Sequence, residues 1–157
     1  MMNMNELKGS KVMVTGGAGS IGSEIVRQLM KLNPEAVVII DQAESMLYDI
    51  QLEMEKEAEQ TRLQVYVADV TNRHQMHDIF RIHRPHIIYH AAAYKHVPLM
   101  EQQPGEAIAN NIGGTKNIAD LAVEFNAEKF VMVSTDKAVN PTNVMGATKR
   151  ISEIYIN

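Results

Sequence analysis

The residues with the plainest chemical meaning are the glycines of Thr15-Gly16-Gly17-Ala18-Gly19-Ser20-Ile21-Gly22. The run fits two registers, Gly17-x-Gly19-x-x-Gly22 and Gly16-x-x-Gly19-x-x-Gly22. In either, the absence of side chains lets backbone amides at a helix N-terminus approach a pyrophosphate, and Gly16, Gly19, Ser20, Ile21 and Gly22 are the candidate contacts. Asp41 ends a β-branched run 19 residues after Gly22, where a carboxylate accepts hydrogen bonds from adenosine ribose hydroxyls. Its charge would repel a 2′-phosphate, and no Lys or Arg occurs from Leu32 through Glu55 to bind one. NAD is therefore favoured over NADP. Asp69 follows a third such run, where the adenine edge would fall. The plainer alternatives make Asp41 the cap of the next helix and Asp69 a turn residue.

A site of this kind has to be held by strands and helices in alternation. Short runs rich in β-branched residues at Lys11–Thr15, Ala36–Asp41, Leu63–Ala68, His86–His90 and Lys129–Ser134 read as strands. Four of them lack in/out alternation, as strands buried on both faces do. Segments of helical period lie between them at Ser20–Leu32, Glu44–Glu59, Asn72–Ile82 and Gly105–Phe125, and a further helix begins near Asn143. Right-handed crossovers return each helix across the sheet, so the order βαβαβαβαβ predicts a Rossmann-like, doubly wound α/β fold with a parallel sheet. The polar start, residues 1–10, is set apart from a dinucleotide-binding domain over 11–157.

Composition narrows the classes. The chain has 157 residues, 45% of them hydrophobic, which suits one core. With 15 Lys+Arg against 19 Asp+Glu the net charge is −4, which argues against nucleic-acid binding. The absence of cysteine excludes disulfides, thiolate metal sites and a cysteine nucleophile. No apolar run approaches the ~20 residues of a membrane span, and no signal-peptide core is present, so a soluble, cytoplasmic chain is expected.

Several motifs together resemble the extended short-chain dehydrogenase/reductase family of nucleotide-sugar enzymes. They are Thr15-Gly16-x-x-Gly19-x-x-Gly22, Asp69-Val70, His90-Ala91-Ala92-Ala93, Asn111-x-x-Gly114-Thr115 and Ser134-Thr135-Asp136-Lys137…Met145-x-x-x-Lys149, and they span nearly the whole chain. Within that family, Ala93-Tyr94-Lys95-His96-Val97-Pro98-Leu99-Met100-Glu101 and Ser134-Thr135-Asp136-Lys137-Ala138-Val139-Asn140-Pro141 resemble the UDP-N-acetylglucosamine 4,6-dehydratases of bacterial polysaccharide and glycan synthesis. Most of the family carries tyrosine four residues before the lysine. Here that position is Met145, whose thioether transfers no proton; the dehydratase branch includes members of this methionine type.

The resemblance implies a cycle. NAD takes hydride from C4 of the sugar, the C5 proton is removed beside the new ketone, water leaves C6, and hydride returns to C6. Asp136 would be the general acid at C6 and Lys137 the base at C5. As a base, Lys137 would need its pKa to fall from about 10.4 toward 7, about 4 kcal/mol. Thr135 would bind the C4 hydroxyl, and Lys149 would hold the nicotinamide ribose. Val70, Ala91 and Ala92 would border the cofactor, while Lys95, His96 and Asn111 would line the path of the nucleotide sugar. Lys95 and His96 also read as a solvated loop, and Thr135-Asp136-Lys137 as a capped strand end. The resemblance further implies homo-oligomers through Gly105–Phe125 and the last helix, and a missing C-terminal substrate-binding part. It implies, too, that full-length relatives carry a membrane-spanning N-terminal region and retain configuration at C5. A 4-epimerase or other short-chain reductase, and a non-catalytic NAD-binding regulator, are the alternatives.

Other features carry little. All six histidines fall within His74 to His96, but they spread over a helix, a strand and a loop with no matching carboxylate set, and no metal site is expected. The eleven methionines suit irregular core filling. The run Glu53, Glu55, Glu57 and Glu59 reads as a solvated helix face.

Overall fold

The computed structural model describes residues 7–56, 58 and 60–157. Strands β1 (Lys11–Thr15), β2 (Ala36–Asp41), β3 (Arg62–Val67), β4 (Ile87–His90) and β5 (Lys129–Met132) form one sheet in the order β3-β2-β1-β4-β5. Every neighbouring pair is parallel. The winding reverses between β1 and β4, so the loops that leave these strands diverge and open a crevice at the carboxyl edge of the sheet.

Alternation along each strand divides the core. Val12, Val14, Val37 and Ile39 face one side and pack against α1 (Ser20–Met30) and α2 (Glu44–Glu55) through Val26, Leu29, Leu47, Ile50 and Met54. Met13, Val38, Ile40 and Ile88 face the other and meet Met76, Ile79 and Phe80 of α3 (Arg73–His83) and Ile118 and Leu121 of α6 (Thr115–Glu124). Truncating a fully buried ring such as Phe80 to alanine costs about 3–5 kcal/mol. Arg27 also ties α1 to α2, with Nε 2.6 Å and Nη2 2.9 Å from the two carboxylate oxygens of Glu53.

The doubly wound sheet is the expected one; its edges are not. β1, β2 and β4 are buried along most of their length, whereas β3 and β5 alternate between exposed and half-buried, because each is an edge of this sheet with one neighbour. Helix α2 ends at Glu55, short of the expected Glu59; Glu57 and Glu59 lie outside the described residues. Residues 97–102, to which the sequence reading gives no element, form the short helix α4 (Val97–Gln102), with Pro98 in its first turn where a missing N–H costs nothing. The expected helix over Gly105–Phe125 is α5 (Pro104–Ala107), a π-helical turn (Ile108–Gly114) and α6. Two asparagines and two glycines within seven residues weaken regular α spacing there. Asp136–Ala138 is a 3-10 turn, and α7 (Val144–Ile156) starts at its Asn143 cap, whose Oδ1 accepts the Gly146 N–H at 2.7 Å. Leu7, before the boundary drawn at residue 11, is fully buried in the first core cluster. Among the described residues no helix is long and apolar enough to cross a membrane.

Candidate functional site

The turn after β1 places the glycines. Gly16 has φ +68°, a region favouring glycine, and a Cβ there would press on the Ala91–Ala92 backbone. Its carbonyl accepts the Gly19 N–H at 3.1 Å, which turns the chain into α1. Gly22 lies so close to the Gly16 carbonyl that no side chain fits between them. Helix α1 therefore begins with neither a side-chain cap nor an acidic residue in its first turn, so its first amides and the positive end of its dipole face the crevice.

Asp41 fixes this turn from the neighbouring strand. Its Oδ2 accepts the Ala18 N–H and its Oδ1 the Ala43 N–H, both at 2.9 Å. The bond to Ala43 closes a turn ahead of α2, whose N-cap Ala43 carries no side-chain cap, and the carboxylate, with about four acceptor positions, keeps two free. Asp69 Oδ1 accepts the Thr71 N–H at 2.8 Å and forms a turn, yet the residue also borders the crevice. A cleft of about 190 Å³ there is lined by Gly16, Gly19, Asp41, Asp69, Val70 and Ala92, among others. Val70 is buried and packs on Gly114, while Gly22 supports the turn from beneath.

A second cavity of about 260 Å³ adjoins the first; Ala91, Ala93 and Tyr94 line both. Ile21, Lys95, Thr135, Lys137, Met145 and Lys149 border it. Lys95 Nζ lies 3.3 Å from Ser20 Oγ, at the start of α1. Met145 is 3% exposed and packs with Met100 and Ala107, filling space at the site with a group that carries no proton. Thr135 donates to Asp136 Oδ1 at 3.0 Å, and Lys137 Nζ reaches the same oxygen at 3.4 Å. That hydroxyl, and next the ammonium, hold the Asp136 carboxyl below the usual carboxylate range. Its side chain is largely exposed and lies outside the cavity lining. Gly146 allows α7 to touch the Lys137 carbonyl, seating the 3-10 turn on the helix.

Lys149 is 5% exposed and donates to the Val133 carbonyl at 2.7 Å. Burial lowers its pKa, and Glu153 opposes that shift. His96 is exposed, sits at the start of α4 and lines neither cavity. Asn111 is not brought to a cavity either. It is 1% exposed, and its amide is spent on the Tyr94 backbone and Thr148, with no donor or acceptor left for a ligand. Its neighbour Asn110 borders the first cleft.

Four features escaped sequence reasoning. Tyr94 stands where the two cavities meet, its hydroxyl 3.3 Å from Gln42 Nε2; in sequence it is a member of the motif Ala93 to Glu101 without a role of its own. Ser134, the first residue of the Ser134–Pro141 motif, to which no role was given, lines the second cavity. Glu101 Oε1 accepts the Val144 N–H at 2.6 Å and so joins α4 to the start of α7 across 43 residues of sequence. His90 is buried between Thr15 Oγ1, 2.6 Å from Nδ1, and Thr115 Oγ1, 2.9 Å from Nε2. Burial, with Lys149 adding to it, pushes its pKa down to about 3. The remaining four histidines take separate partners: His74 lies near Asp78, His77 meets Glu124, His83 meets Tyr66 and His86 accepts the Lys11 N–H.

Comparison with known proteins agrees with this architecture. The chain is 49% identical over 152 residues to the capsular polysaccharide biosynthesis protein CapD of Staphylococcus aureus, covering 96% of this chain and 25% of that protein. It is 34% identical over 146 residues to a UDP-N-acetylglucosamine 4,6-dehydratase (inverting) of Campylobacter jejuni, with 92% and 42% covered. It is equally, 34% over 146 residues, identical to a UDP-glucose 4-epimerase of Rickettsia typhi, with 90% and 41% covered. The X-ray structure of Pen from Bacillus thuringiensis superposes with a TM-score of 0.88 at 30% identity, over 96% of this chain and 46% of that one. The chain thus spans about a quarter to two-fifths of the length of these curated relatives. The sequence pattern described as "Polysaccharide biosynthesis protein" matches residues 12–157, and the chain belongs to that family.

Proposed function

We propose that the chain is the NAD-binding part of a nucleotide-sugar 4,6-dehydratase acting on UDP-N-acetylglucosamine in the synthesis of a bacterial polysaccharide or glycan. The observation that carries this reading is the continuity of the two cavities. A cleft with an uncapped helix start and a carboxylate with spare acceptor positions opens, past Tyr94, onto one lined by Thr135, Lys137, Met145 and Lys149. The first cleft fits a dinucleotide: its glycines leave room for a pyrophosphate, and Asp41 suits an unphosphorylated ribose. Gly16, Gly19 and Asp41 would hold NAD there, and the chemistry it would supply is reversible hydride transfer between C4 and C6 of the sugar.

The chain's own groups supply the rest. Lys149, fixed on the Val133 carbonyl, is a donor for the nicotinamide ribose, and the Thr135 hydroxyl orients the C4 hydroxyl. Asp136 and Lys137 rest as carboxylate and ammonium, 3.4 Å apart. One proton passed from Lys137 Nζ to Asp136 Oδ1 makes both a neutral amine and a carboxylic acid. In water that transfer is costly, because a carboxylic acid is a far stronger acid than an ammonium. A bound sugar that excludes water disfavours both charges and lowers this cost. The amine then takes the C5 proton, and the acid protonates the C6 hydroxyl as it departs as water. The pair ends as ammonium and carboxylate, ready for the next turnover.

A 4-epimerase is the second reading, favoured by the equal identity to the Rickettsia protein. Met145 opposes it, because epimerases of the extended short-chain dehydrogenase/reductase family usually rely on tyrosine there. The test is to titrate this chain with NAD by calorimetry. The chain fused to the C-terminal part of the Staphylococcus relative is then incubated with UDP-N-acetylglucosamine and NAD in heavy water. Loss of one water with deuterium at C5 in retained configuration is expected. An isobaric product would establish the epimerase, and NAD binding without turnover would leave a non-catalytic binding module.

A further inference from the structure

Helix α7 presents two adjacent rows of side chains with a spacing of four residues. Thr148 and Ser152 turn toward the π-helical turn: Asn111 Nδ2 donates to Thr148 Oγ1 at 3.0 Å, and Ser152 Oγ donates to the Asn111 carbonyl at 2.8 Å. Met145, Lys149 and Glu153 form the other row, which runs along the exit of β5. Lys149 Nζ holds the Val133 carbonyl at 2.7 Å, and one residue later Ser134 Oγ donates to Glu153 Oε1 at 2.5 Å. Glu153 Oε2 accepts from Arg150 at 3.0 Å. A nearly buried ammonium needs an anion as well as a carbonyl, whose oxygen offers only a partial charge. The other charged groups bordering the cavity, Lys95 and Lys137, are cations, and His90 on the β4 side is neutral.

We infer that Glu153 is a positioning residue of this site: its carboxylate is the counter-charge of Lys149 and, through Ser134, the clamp on the strand exit that carries Thr135 and Lys137. Glu153 accordingly acts against the burial that lowers the lysine's pKa. Losing this carboxylate would weaken the ammonium and free the Ser134 hydroxyl in one step. The inference rests on the reading of Lys149 as an anchor for the cofactor ribose. Its test needs no cofactor, so the two can fail separately.

The experiment is an NMR titration of the lysine ammonium resonances of the ligand-free chain. In the wild type, Lys149 is expected as an ammonium at neutral pH that titrates below the exposed lysines. Glu153→Gln lowers its midpoint further, while Ser134→Ala, which keeps the charge, leaves it in place. A neutral Lys149 amine in the wild type, or an unmoved midpoint in a folded Glu153→Gln, overturns the inference. Should Glu153→Gln not fold, the wild-type titration still decides, together with Glu153→Asp, in which the midpoint must stay near the wild-type value. Calorimetry with NAD above the wild-type midpoint is the second readout, with weaker binding expected for Glu153→Gln. Failure of the wild type to bind NAD would instead overturn the cofactor reading.

Discussion

Asn111 holds the backbone of Tyr94 from both sides, accepting its N–H at 2.8 Å and donating to its carbonyl at 3.0 Å. The residue where the two cavities meet is therefore fixed in its main chain by a side chain 17 residues away. Asn111→Ala strands two polar groups that lie in a part-buried position, each worth about 1–3 kcal/mol when unsatisfied. Urea unfolding should register a loss of about 2–4 kcal/mol, and a loss below 1 kcal/mol would contradict the clamp.

His90 makes stability depend on pH. Its folded pKa of about 3 lies below the ordinary histidine value near 6.5, so the unfolded chain binds the proton more readily. Stability is full above pH 6.5 and falls as the pH drops through that value toward 3. Between pH 7 and pH 5 the loss is about 2 kcal/mol, with His83, lowered mainly by burial, acting in the same direction. Denaturation curves at the two pH values should part by that amount, and His90→Asn should remove most of the gap.

Asp41 and Lys137 belong to different halves of the site. Removing the Asp41 carboxylate deletes its bond to Ala18 in the glycine turn and its bond to Ala43 beyond β2, so, on the proposed role as ribose acceptor, Asp41→Ala should weaken NAD binding about 10- to 100-fold. Lys137→Ala should leave that affinity unchanged. Calorimetry on both variants decides; equal losses would refute the division.

Gly146→Ala would drive a Cβ into the Lys137 carbonyl. Backbone cannot yield as a flexible side chain does, so the 3-10 turn must move away from α7. The melting curve should show a loss of about 1–3 kcal/mol. Unchanged stability would mean that the turn is free of the helix.

Ile108, Val123, Ile151 and Ile154 leave apolar surface exposed near α6 and α7. A second copy of the chain is expected to cover it. Light scattering should give a dimer that Val123→Glu with Ile154→Glu dissociates, and a monomeric wild type would remove the expectation.

The alternation of periods in the sequence was enough to locate all five strands, because β1, β2 and β4 are buried on both faces and show it as unbroken apolar runs. The glycine turn was readable for a similar reason: it needs backbone room, and only one residue type supplies that. What could not be read is the work done by side chains across long separations. The resemblance puts Asn111 on the path of the nucleotide sugar; only the packing of the π-helical turn reveals that its bonds are used internally, on Tyr94, Asn110 and Thr148. Glu101 ends the motif that starts at Ala93 but carries no role there, and Glu153 belongs to no motif. Their roles depend on a helix start 43 residues away and a strand exit 19 residues away, which periodicity cannot express.

The π-helical turn Ile108–Gly114 gives its helix a wider loop of backbone than an α-helix of the same rise requires. It behaves as an insertion that was kept. Excising a single residue there would restore α spacing and, because the wider turn already absorbs that residue, leave Thr115 near His90 and Gly114 near Val70. Inserting one more residue into the regular helix after it would instead turn everything downstream by about 100° and part both pairs. This segment should therefore tolerate the loss of one residue far better than the same change in α6.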